Sequence, residues 1–290
     1  MNIINTHEYG NNKKHVLQLL DGSLVEIAVF KHHNAIHFCI PTQVGCEMGC
    51  MHCSTTYSAK PFMRNLSFSE LCEIVSMMNE SVSEKSTPLV LSLSGHGEPM
   101  MNWSNVYKCI VKYCNEFSDI YLTSIGINEI MNTVPLQFDY YPKIYFSIHG
   151  SSDEERERLI PSVKNGHVAN LQQIIEFGRS YTQLGGRVVW NYMLCNTNSS
   201  KRSLERLLKI CSLIEYPLEI RFTKYIDIHV DNGIKESNDN AIRTFFQSVL
   251  NEVSSNIHIR FSLLEGEDVG IACGQMRAYM QKKLVDKNLR

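Results

Sequence analysis

Three cysteines, Cys46, Cys50 and Cys53, stand in the order Cys-x3-Cys-x2-Cys. Thiolates this close in sequence can wrap one face of a metal centre. A structural zinc site asks for four closed protein ligands, and an electron-transfer iron–sulfur cluster ordinarily asks for four cysteines. Three ligands leave one coordination position open to a substrate or cofactor. Two blander readings stand beside this one: three core cysteines, or a zinc site completed by His52 or a remote histidine. A second candidate follows downstream in Gly95-His-Gly97-Glu98-Pro99, where glycines let backbone approach a ligand closely and Glu98 offers a carboxylate to an ammonium group. A third is Ser147-Ile148-His149, whose hydroxyl and imidazole suit ribose or adenine contacts. Alone, Gly-x-Gly-Glu-Pro reads equally as a turn, and His149 as a structural histidine.

The elements that must position these residues alternate. Leu24–Phe30 and Ala35–Pro41 read as two strands about a polar turn. Ser67-Phe-Ser-Glu70 is a capping box ahead of a helix reaching about Val82. Strands are expected at 89–94, 120–125, 143–148, 187–194, 218–225 and 257–264. Helices are expected at 103–117, 153–159, 168–184, 201–214, 240–253 and 269–284, with Gly185-Gly186 ending the third. Strands separated by crossover-length helices predict an α/β fold with a parallel sheet, and function on the loops after the strand ends. Both the cysteine run and the Gly95–Pro99 loop fall there.

Composition bounds the rest. A chain of 290 residues is long enough for a sizeable core, and 43% hydrophobic with 20% charged residues excludes general disorder. No apolar run approaches the ~18–20 residues of a membrane span. Met1–Asn12 lacks the basic-then-apolar order of a signal peptide, so a cytoplasmic protein is expected. A net charge of −2 excludes a broadly basic coat for nucleic acid. Ten cysteines in such a chain suggest metal ligands or reactive thiols where clustered and packing residues where isolated.

The motifs taken together resemble the radical SAM adenosine methyltransferases of the RlmN/Cfr type. The resemblance runs from about residue 20 to 285. It rests on Glu26, Cys39, Gln43-Val-Gly-Cys46, Cys50, Cys53-Ser-Thr55, Arg64-Asn65-Leu66, Gly95-x-Gly-Glu-Pro99, Ser147-x-His149 and Ala272-Cys273-Gly274-Gln275. It implies a partial (β/α)6 TIM-like barrel of the radical SAM type over residues 43–290, preceded by a β-hairpin extension over 1–42. It implies a 4Fe–4S cluster on Cys46, Cys50 and Cys53. Two S-adenosyl-L-methionine molecules per turnover are implied, held by Gly97, Glu98, Ser124, Ser147, Ile148, His149 and Asp227.

The implied chemistry is methylation of C2 or C8 of an adenine. Cys273 receives a methyl group from one S-adenosyl-L-methionine. A 5′-deoxyadenosyl radical from the second abstracts hydrogen from that methyl, and the carbon radical adds to the ring. Cys39 then attacks the Cys273 sulfur, forms a disulfide and releases the base, while Glu26 handles the substrate proton. The implied substrate is RNA (rRNA or tRNA), with flavodoxin or ferredoxin as electron donor. The same chemistry on a small-molecule nucleoside or heterocycle is the alternative, and a non-catalytic iron–sulfur protein is the third reading.

The chain departs from the family pattern in places. Only 45 residues precede Cys46, so the family's N-terminal RNA-binding domain is expected to be missing. Candidate phosphate contacts are Lys13-Lys14, Arg156 with Arg158, Arg202 with Arg206, and Lys282-Lys283. Asp227 stands near the family's asparagine, and Ser124 keeps one residue of its Ser-Thr-Ser-Gly strand end. Cys72, Cys109, Cys114, Cys195 and Cys211 match nothing in the pattern and read as packing residues.

Overall fold

Strand and helix boundaries follow the apolar pattern closely in the computed structural model, which describes residues 1–10, 12–32, 34–58, 60–82, 86–133 and 140–262. The chain divides into two compact units. One contains Met1–Glu47 and Cys53–Thr123, the other Met48–His52 and the described part of Ser124–Glu267.

In the first unit, β1 (Asn2–Tyr9), β2 (Asn12–Gln18), β3 (Leu24–His32) and β4 (Ala35–Cys39) form an antiparallel meander. The expected hairpin is its second half. Two strands precede it that the pattern did not show. β1 lies at the edge, and its side chains from Asn2 to Glu8 are mostly exposed, without alternation. In β2, four consecutive residues from Lys14 to Leu17 are buried, so no period-2 alternation marks it. β4 also pairs in parallel with β7 (Leu89–Leu93), and β7 with β8 (Asp119–Ser124). A short antiparallel ribbon of β5 (Gln43–Gly45) and β6 (Phe62–Asn65) brackets the cysteine segment. The Ser67 capping box opens α1 (Phe68–Ser81), with both reciprocal hydrogen bonds made. α2 (Trp103–Tyr113) follows, ending a turn earlier than expected.

In the second unit, β9 (Lys143–Ser147), β10 (Arg187–Leu194), β11 (Leu218–Lys224) and β12 (Ile257–Phe261) pair in parallel. Their connections contain α4 (Asp153–Leu159), α5 (Leu171–Gln183), α6 (Lys201–Cys211) and α7 (Asp239–Glu252), after the short α3 (Asn128–Thr133). Alternation decides which face of this sheet is core. Leu218, Ile220, Phe222, Ile257 and Ile259 are buried, whereas Glu219, Arg221, His258 and Arg260 are not. Tyr192, Phe222 and Phe245 pack their rings 5.4–6.0 Å apart on the apolar face. Gly185, at φ +89°, ends α5 as its position predicts. The expected helix over 269–284 lies outside the described residues.

Candidate active site

The cysteine segment begins from β5, whose last residue, Gly45, has φ +88°. A Cβ there would sit 2.0 Å from the Pro61 carbonyl oxygen, so only glycine lets the two backbones close. The contact is used, because the Cys46 amide donates to that same oxygen at 2.5 Å. Cys53 then caps a 3-10 turn over Ser54–Tyr57. Cys46, Cys50 and Cys53 are all unbridged and half-buried.

Gln43 joins this segment to the Gly95–Pro99 loop. Its amide donates to Asn65 Oδ1 at 2.7 Å, and its Oε1 accepts from the Glu98 amide at 2.8 Å. Gly97, at φ +100°, packs against it so closely that a Cβ would meet Gln43 Cβ at 2.8 Å. Asn102 ties the same region together by donating to the carbonyls of Thr42 and Leu66. Glu98 is buried, and its Oε1 accepts from the Met100 amide at 2.9 Å, capping the turn that follows. Gln43, Asn65 and Asn102 position these loops, a part that their place in the motifs does not reveal.

Cys39 ends β4, opposite Ala28 of β3 and Ser92 of β7. Directly paired residues share a sheet face, and residues two apart on a strand do likewise. Glu26 therefore stands on the face that carries Cys39, and Ser94, just past the end of β7, reaches it. Cys39 Sγ lies 3.5 Å from Ser94 Oγ, which lies 2.6 Å from Ser92 Oγ. Burial pushes the Cys39 thiol above its ordinary value, against the opposing influence of Ser94 and Lys14. Glu26 is buried and ion-paired with the buried Lys14. This removes Lys14 from the candidate phosphate contacts.

The second unit holds the other candidates. Met51, next to Cys50, is fixed by its amide to the Leu159 carbonyl at 2.8 Å and by Asn232 Nδ2 on its own carbonyl at 2.6 Å. His52 packs edge-on against His149, ring centroids 4.8 Å apart. Burial lowers His52 to about 4 and His149 well below the ordinary histidine value, so both rings are neutral near pH 7. His149 has φ +48°, an unusual conformation for a non-glycine residue. Its Nδ1 accepts from the Met193 amide at 3.1 Å, which leaves the ring proton on Nε2. Ser147 is half-buried at the end of β9, and Ile148 is fully buried with its amide on the Asn191 carbonyl. Ser124 is buried and accepts from the Gly126 amide at 2.9 Å. Asp227 is exposed and accepts from the His229 amide at 2.7 Å in a turn after β11.

Arg156 takes a part that its sequence position did not suggest. It is fully buried, and its guanidinium donates to the carbonyls of Ala169, Ile148 and Ile125 at 2.6, 3.2 and 3.3 Å. It braces the backbone beside Ser124 and His149 and is not available to a surface phosphate. Cys109, Cys195 and Cys211 are buried, as packing residues are; Cys72 and Cys114 are half-buried. Cys273 and Lys282-Lys283 lie outside the described residues.

The donor set suits a cluster with an open iron. Three unbridged cysteines share one short segment, and a four-iron cluster binds each thiolate through a different iron. It therefore does not need the tight convergence that a single ion demands, and no such single-ion group occurs among the described residues. His52 Nδ1, Thr42 Oγ1 and Thr55 Oγ1 are buried and make no hydrogen bond among those residues. Orphaned polar atoms of this kind near a cysteine segment fit a polar ligand.

No family model matches the chain. It is 28% identical over 285 residues to a probable dual-specificity RNA methyltransferase RlmN of Lachnoclostridium phytofermentans, covering 94% of this chain and 76% of that protein. A protein of the same name from Flavobacterium johnsoniae is 27% identical, over 91% of this chain and 75% of its own length. The crystal structure of a radical SAM methyltransferase from Sphaerobacter thermophilus superposes with a TM-score of 0.83 at 20% identity, over 96% of this chain and 81% of that one. That likeness bears out the expected α/β fold of the radical SAM type.

Proposed function

We infer that this chain, a radical SAM protein similar throughout to RlmN-type methyltransferases, methylates C2 or C8 of an adenine in RNA. The observation that carries the reading is the common sheet face of Cys39 and Glu26. Electron transfer alone needs neither a thiol nor a carboxylate there, whereas release of a methylated base from a protein sulfur needs both a second thiol and a proton acceptor.

Cys46, Cys50 and Cys53 would hold the 4Fe–4S cluster. Glu98 would receive the ammonium group of S-adenosyl-L-methionine on its carboxylate. Gly97 would let backbone approach it, and Ser147, Ile148 and His149, with Ser124, would take its nucleoside half. Asp227 would reach the cofactor only from an exposed turn, which its carboxylate closes by accepting from the His229 amide. When bound, cluster and cofactor supply the one-electron chemistry and the methyl carbon. The chain's own residues carry the group and finish the reaction. Cys273 carries the methyl, Glu26 takes the ring proton, and Cys39 closes a disulfide on the Cys273 sulfur as the base departs. A ferredoxin or flavodoxin would supply electrons, and a reducing cytoplasm suits the unbridged cysteines. No helix among the described residues is long and apolar enough to cross a membrane.

One observation favours a small nucleoside or heterocycle as substrate instead. Lys14 and Arg156, two of the candidate phosphate contacts, are buried. Mass spectrometry of RNA from cells with and without the gene separates the two readings. Gene-dependent 2-methyl- or 8-methyladenosine supports RNA, and an unchanged profile favours the small molecule. In vitro, Cys39→Ala protein should accumulate a covalent protein–substrate adduct. Absence of 5′-deoxyadenosine from reduced, cluster-loaded protein would sink both readings.

A further inference from the structure

The face of the first unit's sheet that carries Cys39 also carries a cation. Lys14 is opposite Ala28, Ala28 is opposite Cys39, and Cys39 is opposite Ser92, so these residues form one row across β2, β3, β4 and β7. Glu26 lies two residues along β3 from Ala28, on the same face, and its carboxylate pairs with the Lys14 ammonium. Other ionisable residues on this face, among those described, include His7, opposite Lys14 on β1, His37, two residues before Cys39 on β4, and Tyr121, opposite Ser92 on β8. His37 is stacked on Phe30 with centroids 5.0 Å apart, and its ring lies 5.9 Å from that of Tyr121. Both members of the Lys14–Glu26 pair are less than a tenth exposed. A lysine is rarely buried so completely without a specific charge to meet. A buried carboxylate that lost its cation would be driven toward the neutral acid.

We propose that Lys14 is a positioning residue of the methyl-transfer reaction, holding Glu26 as an anion on the face and at the level of the sheet where Cys39 acts. This rests on the reading of Glu26 as proton acceptor. A neutral Glu26 could not accept the ring proton, so the reaction would stall after the methyl carbon has joined the base. The ammonium also stands where it offsets the effect of the Glu26 charge on the Cys39 thiolate.

The test uses full-length, cluster-loaded Lys14→Met, Lys14→Arg, Glu26→Gln and the double variant Lys14→Met with Glu26→Gln. The first readout needs no turnover. Infrared difference spectra of protein with ¹³C-labelled glutamate, recorded near neutral pH, should show a carboxylic-acid band in Lys14→Met. That band should be absent from the wild type, Lys14→Arg and the double variant. The second readout is methylated product per 5′-deoxyadenosine formed. It should fall at least ~10-fold in Lys14→Met, as for loss of a general base, and be largely retained in Lys14→Arg. The double variant should be no worse than Glu26→Gln alone, because Lys14 acts through Glu26. An ionised Glu26 in Lys14→Met, or losses that add in the double variant, would overturn the proposal. If Lys14→Met fails to fold, the double variant, which removes both buried charges, and Lys14→Arg decide by the same criteria. A wild-type protein that forms no deoxyadenosine overturns the reaction reading, and the infrared result then still reports whether Lys14 holds Glu26 ionised.

Discussion

The Gln43 carboxamide accepts a hydrogen bond from the Glu98 amide at 2.8 Å while donating to Asn65 Oδ1 at 2.7 Å. One side chain thereby sets the distance between the strand that leads into Cys46 and the loop that presents Glu98. Replacing Gln43 with leucine should leave a buried amide unsatisfied and cost about 1–3 kcal/mol of stability. Iron content should stay near the wild-type value while affinity for S-adenosyl-L-methionine falls. Calorimetric titration of the reconstituted protein measures this, and unchanged affinity would remove Gln43 from the cofactor loop's support.

Gly97 and Gly166 have similar left-handed backbones, with φ of +100° and +69°, yet differ in what surrounds them. A Cβ at Gly97 meets Gln43 backbone and side chain at 2.8 Å, whereas one at Gly166 meets nothing within 4 Å. Gly166→Ala should therefore show backbone strain alone, about 1–2 kcal/mol. Gly97→Ala should cost more and also weaken cofactor binding. Equal denaturation midpoints for the two variants would contradict the close packing.

Arg156 holds three backbone carbonyls from inside the second unit. Arg156→Met should leave them without a donor and destabilise the protein by at least ~3 kcal/mol. Arg156→Lys should recover only part of that loss, because one ammonium cannot reproduce a planar fork. Urea titrations followed by circular dichroism give the order wild type, lysine, methionine; a lysine variant as stable as wild type would count against the brace.

Glu70 supplies a pH-sensitive contact outside the site. Burial raises its carboxyl, but the hydrogen bonds from Arg64 and Ser67 prevail and hold it below the ordinary value. Arg64 reaches both oxygens at 2.8 and 2.9 Å. A carboxyl depressed on folding contributes stability that is present above its unfolded pKa and lost as pH falls through the folded one. The wild-type thermal midpoint should therefore decline through the acid carboxylate range more steeply than that of Arg64→Gln. Parallel declines would show that the pair contributes nothing measurable.

Alanine at Cys46, Cys50 or Cys53 should abolish the visible absorbance and bound iron of anaerobically reconstituted protein. Alanine at Cys72 or Cys114 should leave both intact. Retained iron in any of the first three variants would place the cluster elsewhere.

Much of this molecule is already determined by its sequence, for a local reason. Helix caps, the glycine that ends α5 and the period of the apolar residues act within a few positions of themselves. The β/α alternation is therefore legible, and so is the position of the cysteine segment after a strand. The spacing of Cys46, Cys50 and Cys53 and the carboxylate of Glu98 are local in the same sense. β1 and β2 are not legible in the sequence because one is an edge and the other is buried on both faces, so neither carries the alternation that marks a half-buried strand.

Register and burial, by contrast, depend on residues far apart in the chain. Lys14 and Arg156 look like surface charges in sequence. Pairing of β2 with β3 sets Lys14 beside Glu26, and the three carbonyls that Arg156 meets come from positions 8 to 31 residues away. Whether a charged side chain lies in water or inside an ion pair is decided by which strands become neighbours, and only the tertiary structure supplies that.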